Sequence, residues 1–403
     1  MKLREYQAVA IERVISAIGA GKSTLLNAPT GSGKTRMAVE ICANRGRVLW
    51  VVDRIALIDQ ARRAFCGQAG VIHSLYRSNP SAPVQIVTRQ ALMAHEGNHE
   101  CDLLVYDECH HSVAEGTLEL LRERVRFGAL LGLTATPARS DRRSMGRLFD
   151  VQIDAAKYSE LIDDGYITGC KVIAPDSYVG PNLAQPVLES WEQFGCDRQT
   201  LAFCARQIDC YEQDELFRSR GHKSAVVLAD TPAGLRSKRM SQFQNGLLDI
   251  IFSVSTMTEG VDFPAASCTV LARSFATVGT YMQACGRVMR AHELKDDALV
   301  IDLVGASHIH GPPDADREWS DHEPEQTRIE QPERAEADRG EQEIVGAPLF
   351  ATWLPAEERK PWKPDAISNP PATTRLSTVC SCGRKLKRGS ASDKCTTCLL
   401  GEI

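Results

Sequence analysis

Residues Ala28-Pro-Thr-Gly-Ser-Gly-Lys-Thr35 place two glycines, a lysine and a hydroxyl at the spacing that wraps a polyphosphate. The run follows the apolar stretch Thr24–Ala28 and precedes a helical stretch, Arg36–Ala43, which is the strand–loop–helix setting such a loop requires. Gly31 and Gly33 let the backbone curl until its N–H groups face one anion, and the helix N-terminus adds positive partial charge. Lys34 would reach the β- and γ-phosphates of ATP, and the Thr35 hydroxyl would ligate Mg²⁺. Ala28 stands where the general pattern has glycine. A second run, Gly19-Ala-Gly-Lys-Ser-Thr24, uses similar letters but has Ser16 at the position of the first motif glycine. It also follows a helical stretch and leads into a strand, so it reads as a helix-to-strand turn.

A second chemical element is the strand end Leu103-Leu-Val-Tyr-Asp107-Glu108-Cys109-His110. At the carboxyl edge of a parallel sheet, two adjacent carboxylates face a bound nucleotide. Hydrolysis needs one carboxylate to hold Mg²⁺ and one to orient and deprotonate the attacking water. Asp107 suits the first role and Glu108 the second.

These groups need a frame. Short Val-, Ile- and Leu-rich runs at Thr24–Ala28, Arg47–Val52, Val84–Thr88, Leu103–Tyr106 and Ala129–Leu133 alternate with polar helical stretches. The rhythm returns at Thr200–Cys204, Ser224–Leu228, Ile250–Val254, Cys268–Ala272 and Ala298–Asp302. Such alternation predicts an α/β fold with two tandem parallel-sheet lobes, each covered by helices on both faces. The expected domains are an ATP-binding lobe over 1–153, a connecting segment over 154–195 broken by Pro175, Gly180, Pro181 and Pro186, and a second lobe over 196–310. Residues 311–375 carry 15 acids against 8 bases and few large apolar side chains, which predicts an acidic, partly disordered linker. Residues 376–403 form a small terminal unit.

At this point the sequence resembles the superfamily 2 helicases, with six motifs in order over about residues 1–310. Its flavour is the branch holding repair helicases, restriction-enzyme motor subunits and compact phage-type helicases. The resemblance implies two RecA-like lobes. Leu3-Arg-Glu-Tyr-Gln7 looks like the adenine-reading element, with Gln7 as the adenine contact. Asp107–His110 matches the second nucleotide motif in its Asp-Glu-Cys-His form, and Leu133-Thr-Ala-Thr-Pro137 matches the motif that couples the lobes through Thr134 and Thr136. Thr258-Glu-Gly-Val-Asp-Phe-Pro264 supplies Gly260 and Asp262 to the nucleotide, and Gln283-Ala-Cys-Gly-Arg-Val-Met-Arg290 matches the last motif. Gln283, Arg287 and Arg290 then act at the γ-phosphate. The two arginines, three residues apart, are expected on one helix face, reaching the nucleotide when the lobes close. Val48–Gln60 and Val84–Leu92 resemble strand-contacting segments and offer Arg54, Thr88 and Gln90 as nucleic-acid contacts; capping and turn roles are the alternative. The resemblance implies an ATP-dependent motor on DNA, most simply a helicase, with RNA left open. The alternative is an ATP-driven clamp or remodeller, or a restriction-type translocase, that does not separate strands.

The tail carries Cys380-Ser-Cys382 and Cys395-Thr-Thr-Cys398, a spacing suited to a tetrahedral Zn²⁺ ribbon whose folding the metal would drive. Such a ribbon could also receive a protein partner, and Lys385, Lys387 and Arg388 between the pairs suit nucleic acid. The other ten cysteines are scattered, as reduced core residues are. The overall charge of −5 comes largely from the acidic stretch, so it does not argue against a nucleic-acid partner. The first residues, MKLREYQAVAIERV, lack an apolar run, and no stretch is apolar enough to span a bilayer. A soluble, cytoplasmic protein with no membrane role is expected.

Overall fold

The computed structural model describes residues 3–319 apart from 44, 78, 95–98, 110–120, 122, 138–144, 146–148, 180–182 and 255–262, together with 328–329 and 351–352. Two seven-stranded sheets organise these residues.

The first sheet contains β1 (Thr24–Asn27), β2 (Val48–Val52), β3 (Gly70–Ile72), β4 (Val84–Thr88), β5 (His99–Tyr106), β6 (Val125–Thr134) and β7 (Val151–Asp154). Its order is β3-β4-β2-β5-β6-β1-β7, and every pairing is parallel. All five residues of β2 are buried, as expected of a strand with helices on both faces. One of those helices, α1 (Glu5–Gly19), buries Ala10, Ile11, Val14 and Ile18, a three-to-four-residue apolar stripe. Others are α2 (Lys34–Cys42), α3 (Ile55–Ala64) and α4 (Arg89–Ala94). Because β6 lies between β1 and β5, the loops after these three strands emerge side by side at one sheet edge.

The second lobe holds α5 (Tyr158–Asp163), β8 (Cys170–Ala174), α6 (Val187–Phe194), β9 (Thr200–Cys204), α7 (Gln207–Ser219), β10 (Ser224–Val226), α8 (Ala233–Gln244) and β11 (Ile250–Ser253). It continues through β12 (Cys268–Ala272), α9 (Val278–Gly286), β13 (Ala298–Asp302) and α10 (Ala306–His310). Two-residue strands β14 (Arg317–Glu318) and β15 (Arg328–Ile329) pair with each other, and β16 (Ala351–Thr352) ends the described chain. The sheet order is β10-β11-β9-β12-β13-β8-β16, parallel except where β16 meets β8.

All ten expected strands are present. The stretch expected as a connection over 154–195 differs: it contributes α5, β8 and α6 to the second lobe. Proline and glycine flank β8, but Cys170-Lys-Val-Ile-Ala174 is long enough to pair in register with β13. Trp191 of α6 is buried and donates from Nε1 to Thr200 Oγ1 at 2.8 Å. The acidic stretch also begins as packed structure, because Asp314 and Asp316 accept backbone hydrogen bonds there instead of lying in solvent. Of the ten described cysteines, all unbridged, seven are buried, which is the core role expected for them.

Candidate nucleotide site between the lobes

The loop from Ala28 to Gly33 leaves β1 and enters α2, with Gly31 and Gly33 at φ of 90° and 87°. That region is left-handed, where a Cβ would clash with the backbone. Neighbours close in as well: a Cβ on Gly33 would come within 2.5 Å of Gln7 Nε2. Ala28, fully buried, donates its N–H to Thr134 O at 3.0 Å and so ties the loop to β6. Lys34 opens α2 beside the loop, with Thr35 next to it.

The acids meet the lysine. Lys34 Nζ donates to Glu108 Oε1 at 2.6 Å, with side chains 12% and 18% exposed, so the two charges neutralise each other in partly desolvated surroundings. Glu108 sits at φ 50°, a strained left-handed conformation for a non-glycine residue, and its N–H donates to Asp107 Oδ1 at 3.1 Å. Such strain, on the order of 1–3 kcal/mol, persists where surrounding structure fixes the residue. The Asp107 carboxyl is pushed up to about 6, chiefly by burial, with the Lys34 charge opposing the shift and the Glu108 charge adding to it.

The second lobe completes the site. Gln283, Arg287 and Arg290 line a cavity of about 360 Å³ together with Gly31, Gly33, Lys34, Thr35, Asp107 and Glu108. The expectation that both arginines share a helix face is corrected here: α9 ends at Gly286, Arg287 is its C-cap, and Arg290 lies beyond it in an antiparallel bridge with Ile167. Both arginines nonetheless reach the cavity, because the chain turns under the phosphate loop. That approach depends on small residues. A Cβ on Gly286 would lie 2.8 Å from Thr30 Cβ, and one on Gly279 would lie 3.0 Å from Thr136 Oγ1. Thr134 and Thr136 are fully buried at the end of β6, where Thr134 Oγ1 donates to Thr136 O at 2.8 Å and accepts from Thr136 N at 3.0 Å. Thr136 thus lies close against α9 at Gly279.

Gln7 is buried against the phosphate loop and does not itself line the cavity. It accepts from Arg4 N at 3.0 Å and donates to Ser32 O at 2.8 Å, so it grips the phosphate loop. The Arg4 guanidinium lies 4.0 Å from the centre of the Tyr166 ring, and both line the cavity. Arg4 belongs to the expected adenine-reading element, whereas Tyr166 and Ile167 lie outside every motif. They belong to the supposed connection, and only the Asp164-Gly165-Tyr166 turn-plus-aromatic pattern marked them.

The nucleic-acid candidates follow strands β2 and β4. Arg54 and Gln90 are exposed. Thr88 is buried, and its hydroxyl accepts from Ala91 N at 3.1 Å, so the structure shows it as the cap of α4. Gly260, Asp262 and His110, and the zinc candidates Cys380, Cys382, Cys395 and Cys398, lie outside the described residues. Among the described residues no cluster of His, Cys, Asp or Glu suits a metal ion, and no helix is long and apolar enough to cross a membrane.

A phosphate loop and an acidic pair on one parallel-sheet lobe, met by arginines from a second, define a two-lobed nucleoside-triphosphate hydrolase. Comparison with known proteins narrows this class. Residues 1–139 match the family described as type III restriction enzyme, res subunit, and residues 187–292 match the helicase conserved C-terminal domain. The chain belongs to the superfamily 2 helicases of the restriction and repair type. A 51.5 kDa protein of a Lactococcus phage (isolate 7-9) is 26% identical over 330 residues, covering 74% of this chain and 69% of that protein. The DNA 3'-5' translocase XPB2 of Sulfurisphaera tokodaii is 22% identical over 369 residues, covering 75% of this chain and 82% of that protein. The fold matches the ATP-dependent type ISP restriction-modification enzyme LlaBIII bound to DNA with a TM-score of 0.60 at 18% identity, over 75% of this chain and 28% of that one. Other relatives are longer, and the chain spans 52% of one of them.

Proposed function

We propose that this chain hydrolyses ATP at the interlobe site and uses the cycle to translocate on or unwind DNA. The carrying observation is the single cavity to which Lys34, Asp107 and Glu108 come from one lobe and Gln283, Arg287 and Arg290 from the other. Its donors suit a nucleoside triphosphate with Mg²⁺: loop N–H groups and an ammonium for phosphate, and a hydroxyl and a carboxylate as hard oxygen ligands for the ion. Thr35 and Asp107 would hold Mg²⁺, which when bound neutralises phosphate charge. Gln7 and Arg4 with Tyr166 flank the base side. Lys34, on exchanging Glu108 for phosphate, leaves Glu108 to orient water and accept its proton. Arg287 and Arg290 stabilise charge developing on the γ-phosphoryl oxygens. Thr134 and Thr136 transmit closure through α9, and Gly260 and Asp262 are assigned to the nucleotide on the motif alone.

DNA as the track is supported by the restriction and repair branch and by the DNA-bound relative of like fold. Arg54 and Gln90, exposed after their strands, suit backbone contacts; RNA is the control substrate. The Cys380, Cys382, Cys395 and Cys398 set is assigned to structural Zn²⁺, with a protein partner or nucleic acid as the ribbon's target. Metal analysis should find one zinc per chain, lost when Cys395 and Cys398 become serine; a metal-free chain removes the ribbon.

The test is ATP turnover with and without single- and double-stranded DNA and RNA. DNA bound across both lobes favours the closed state, so it should raise turnover, with the half-stimulating concentration climbing as salt rises. Turnover indifferent to every nucleic acid at low salt would refute the motor reading. A strand-displacement assay then separates a helicase from a translocase or clamp.

A further inference from the structure

Residues 158–170, which fall in the expected connecting segment, touch the phosphate loop, Arg4 and Arg290. The Tyr158 hydroxyl lies against the backbone of Thr30 in the phosphate loop. Ile167 bridges Arg290, and its Cγ2 would be 3.4 Å from a Cβ on Gly31. Thr168 donates its N–H to Met289 O at 2.7 Å and its hydroxyl to Arg290 O at 3.4 Å. Between them Tyr166 carries the Arg4 guanidinium. The placement of Arg290 over the phosphate loop is therefore set by this segment.

What holds the segment is the start of the acidic stretch. Near its first end, Ser159 donates both N–H and Oγ to the carboxylate of Asp316, at 3.0 and 2.6 Å. At its last end, Cys170 donates its N–H to Asp314 Oδ2 at 2.9 Å. Hydrogen bonds to an ionised acceptor are about twice as strong as neutral ones. Between the two acids and beyond them the chain is itself fixed, since Arg317 Nη2 donates to Pro312 O at 2.8 Å.

We propose that residues 312–318 form a clasp, with Asp314 and Asp316 as positioning residues that hold 158–170 at both ends and so aim Arg290 at the γ-phosphate. The proposal rests on the interlobe ATP-hydrolysis reading.

The test uses the full-length chain. Asp316→Ala should lower kcat roughly tenfold, because a small misplacement of a group acting in the transition state is costly, while KM for ATP stays within about twofold. The discriminating arm is a double-mutant cycle with Arg290→Ala. If the clasp acts through Arg290, adding Asp316→Ala to Arg290→Ala changes kcat no further; a full second loss marks a merely structural residue and overturns the proposal. Should Asp316→Ala not fold, Ser159→Ala removes only the hydroxyl donor. Its fall of about threefold should also vanish in the Arg290→Ala background, and no fall in either background overturns the clasp. An inactive wild type, or an Arg290→Ala chain as fast as wild type, indicts the site reading beneath it. An impaired Arg290→Ala beside a wild-type-like Asp316→Ala indicts the clasp alone.

Discussion

The chain holds two Gly-x-Gly-Lys segments, at 19–22 and 31–34, and they do opposite things. In the first, helix α1 runs into β1. Its backbone N–H groups turn back onto the helix they have left: Gly21 N donates to Ile18 O at 2.9 Å and Lys22 N to Ala17 O at 3.1 Å. Gly21 is left-handed at φ 75° but a Cβ added there would meet nothing within 4 Å, and Lys22 is exposed. In the second, β1 runs into α2, the helix N-terminus faces the cavity, and both glycines are hemmed by side chains from other elements. Chain direction makes the difference. A helix end presents carbonyls that consume donors, whereas a helix start presents donors to an anion.

That contrast can be broken most sharply at the lysines and the acid. Glu108→Gln should retain nucleotide binding and lose turnover by about 10⁴-fold. Lys34→Ala should lose both binding and turnover, while Lys22→Ala stays within about twofold of wild type in ATP hydrolysis, since the turn has no anion to hold. Near-normal hydrolysis by the Glu108→Gln protein would take the water-activating role away from that residue.

Next come the arginines that visit only the second segment. Arg287→Ala or Arg290→Ala should reduce kcat about 10³-fold, with nucleotide affinity changing by less than about tenfold, because the groups act on transition-state charge. An equilibrium nucleotide titration falling as steeply as turnover would recast them as ground-state ligands.

The glycines give a finer test. Gly286→Ala puts a methyl group 2.8 Å from Thr30 Cβ, so α9 must back away from the phosphate loop, and kcat should fall about 10²-fold with the fold retained. Gly21→Ala meets no neighbour and should cost about 1 kcal/mol of stability through its positive φ, with turnover intact. Equal kinetic loss in the two variants would show that neighbours do not distinguish the segments.

The smallest effect concerns support for the second lobe. His310 is partly buried, donates from Nε2 to Phe275 O at 2.8 Å, and is held down to about 4, chiefly by its loss of hydration. Its folded value lies below the ordinary 6.5, so the neutral ring favours folding above pH 6.5, and that contribution is lost as pH falls towards 4. The loss is about 3 kcal/mol. Asp107, raised by its burial, changes stability in the opposite sense over part of that range, so the test is differential. The gap in Tm between wild type and His310→Gln should shrink as pH drops from 7 to 5, and a constant gap would place the ring outside this linkage.

How much of this was legible follows from what each signal depends on. The phosphate loop, the acidic pair and all ten expected strands are set by neighbours in sequence: glycines where φ must be positive, carboxylates at a strand end, Val- and Ile-rich runs. These the sequence alone determined, along with the class of chemistry. The helix expected to carry both arginines failed at Gly286, because the chain beyond it is held by a bridge to Ile167, more than a hundred residues earlier. Strand β8 was hidden among prolines, since its pairing with β13 outweighs poor local signals. Asp314 and Asp316 read as solvated charge, because a cap is recognisable only when the donors it satisfies, on Cys170 and Ser159, are beside it. Tertiary structure alone decided these three, since each rests on hydrogen bonds between residues far apart in the chain, and composition and spacing carry no record of which distant donor finds which acceptor.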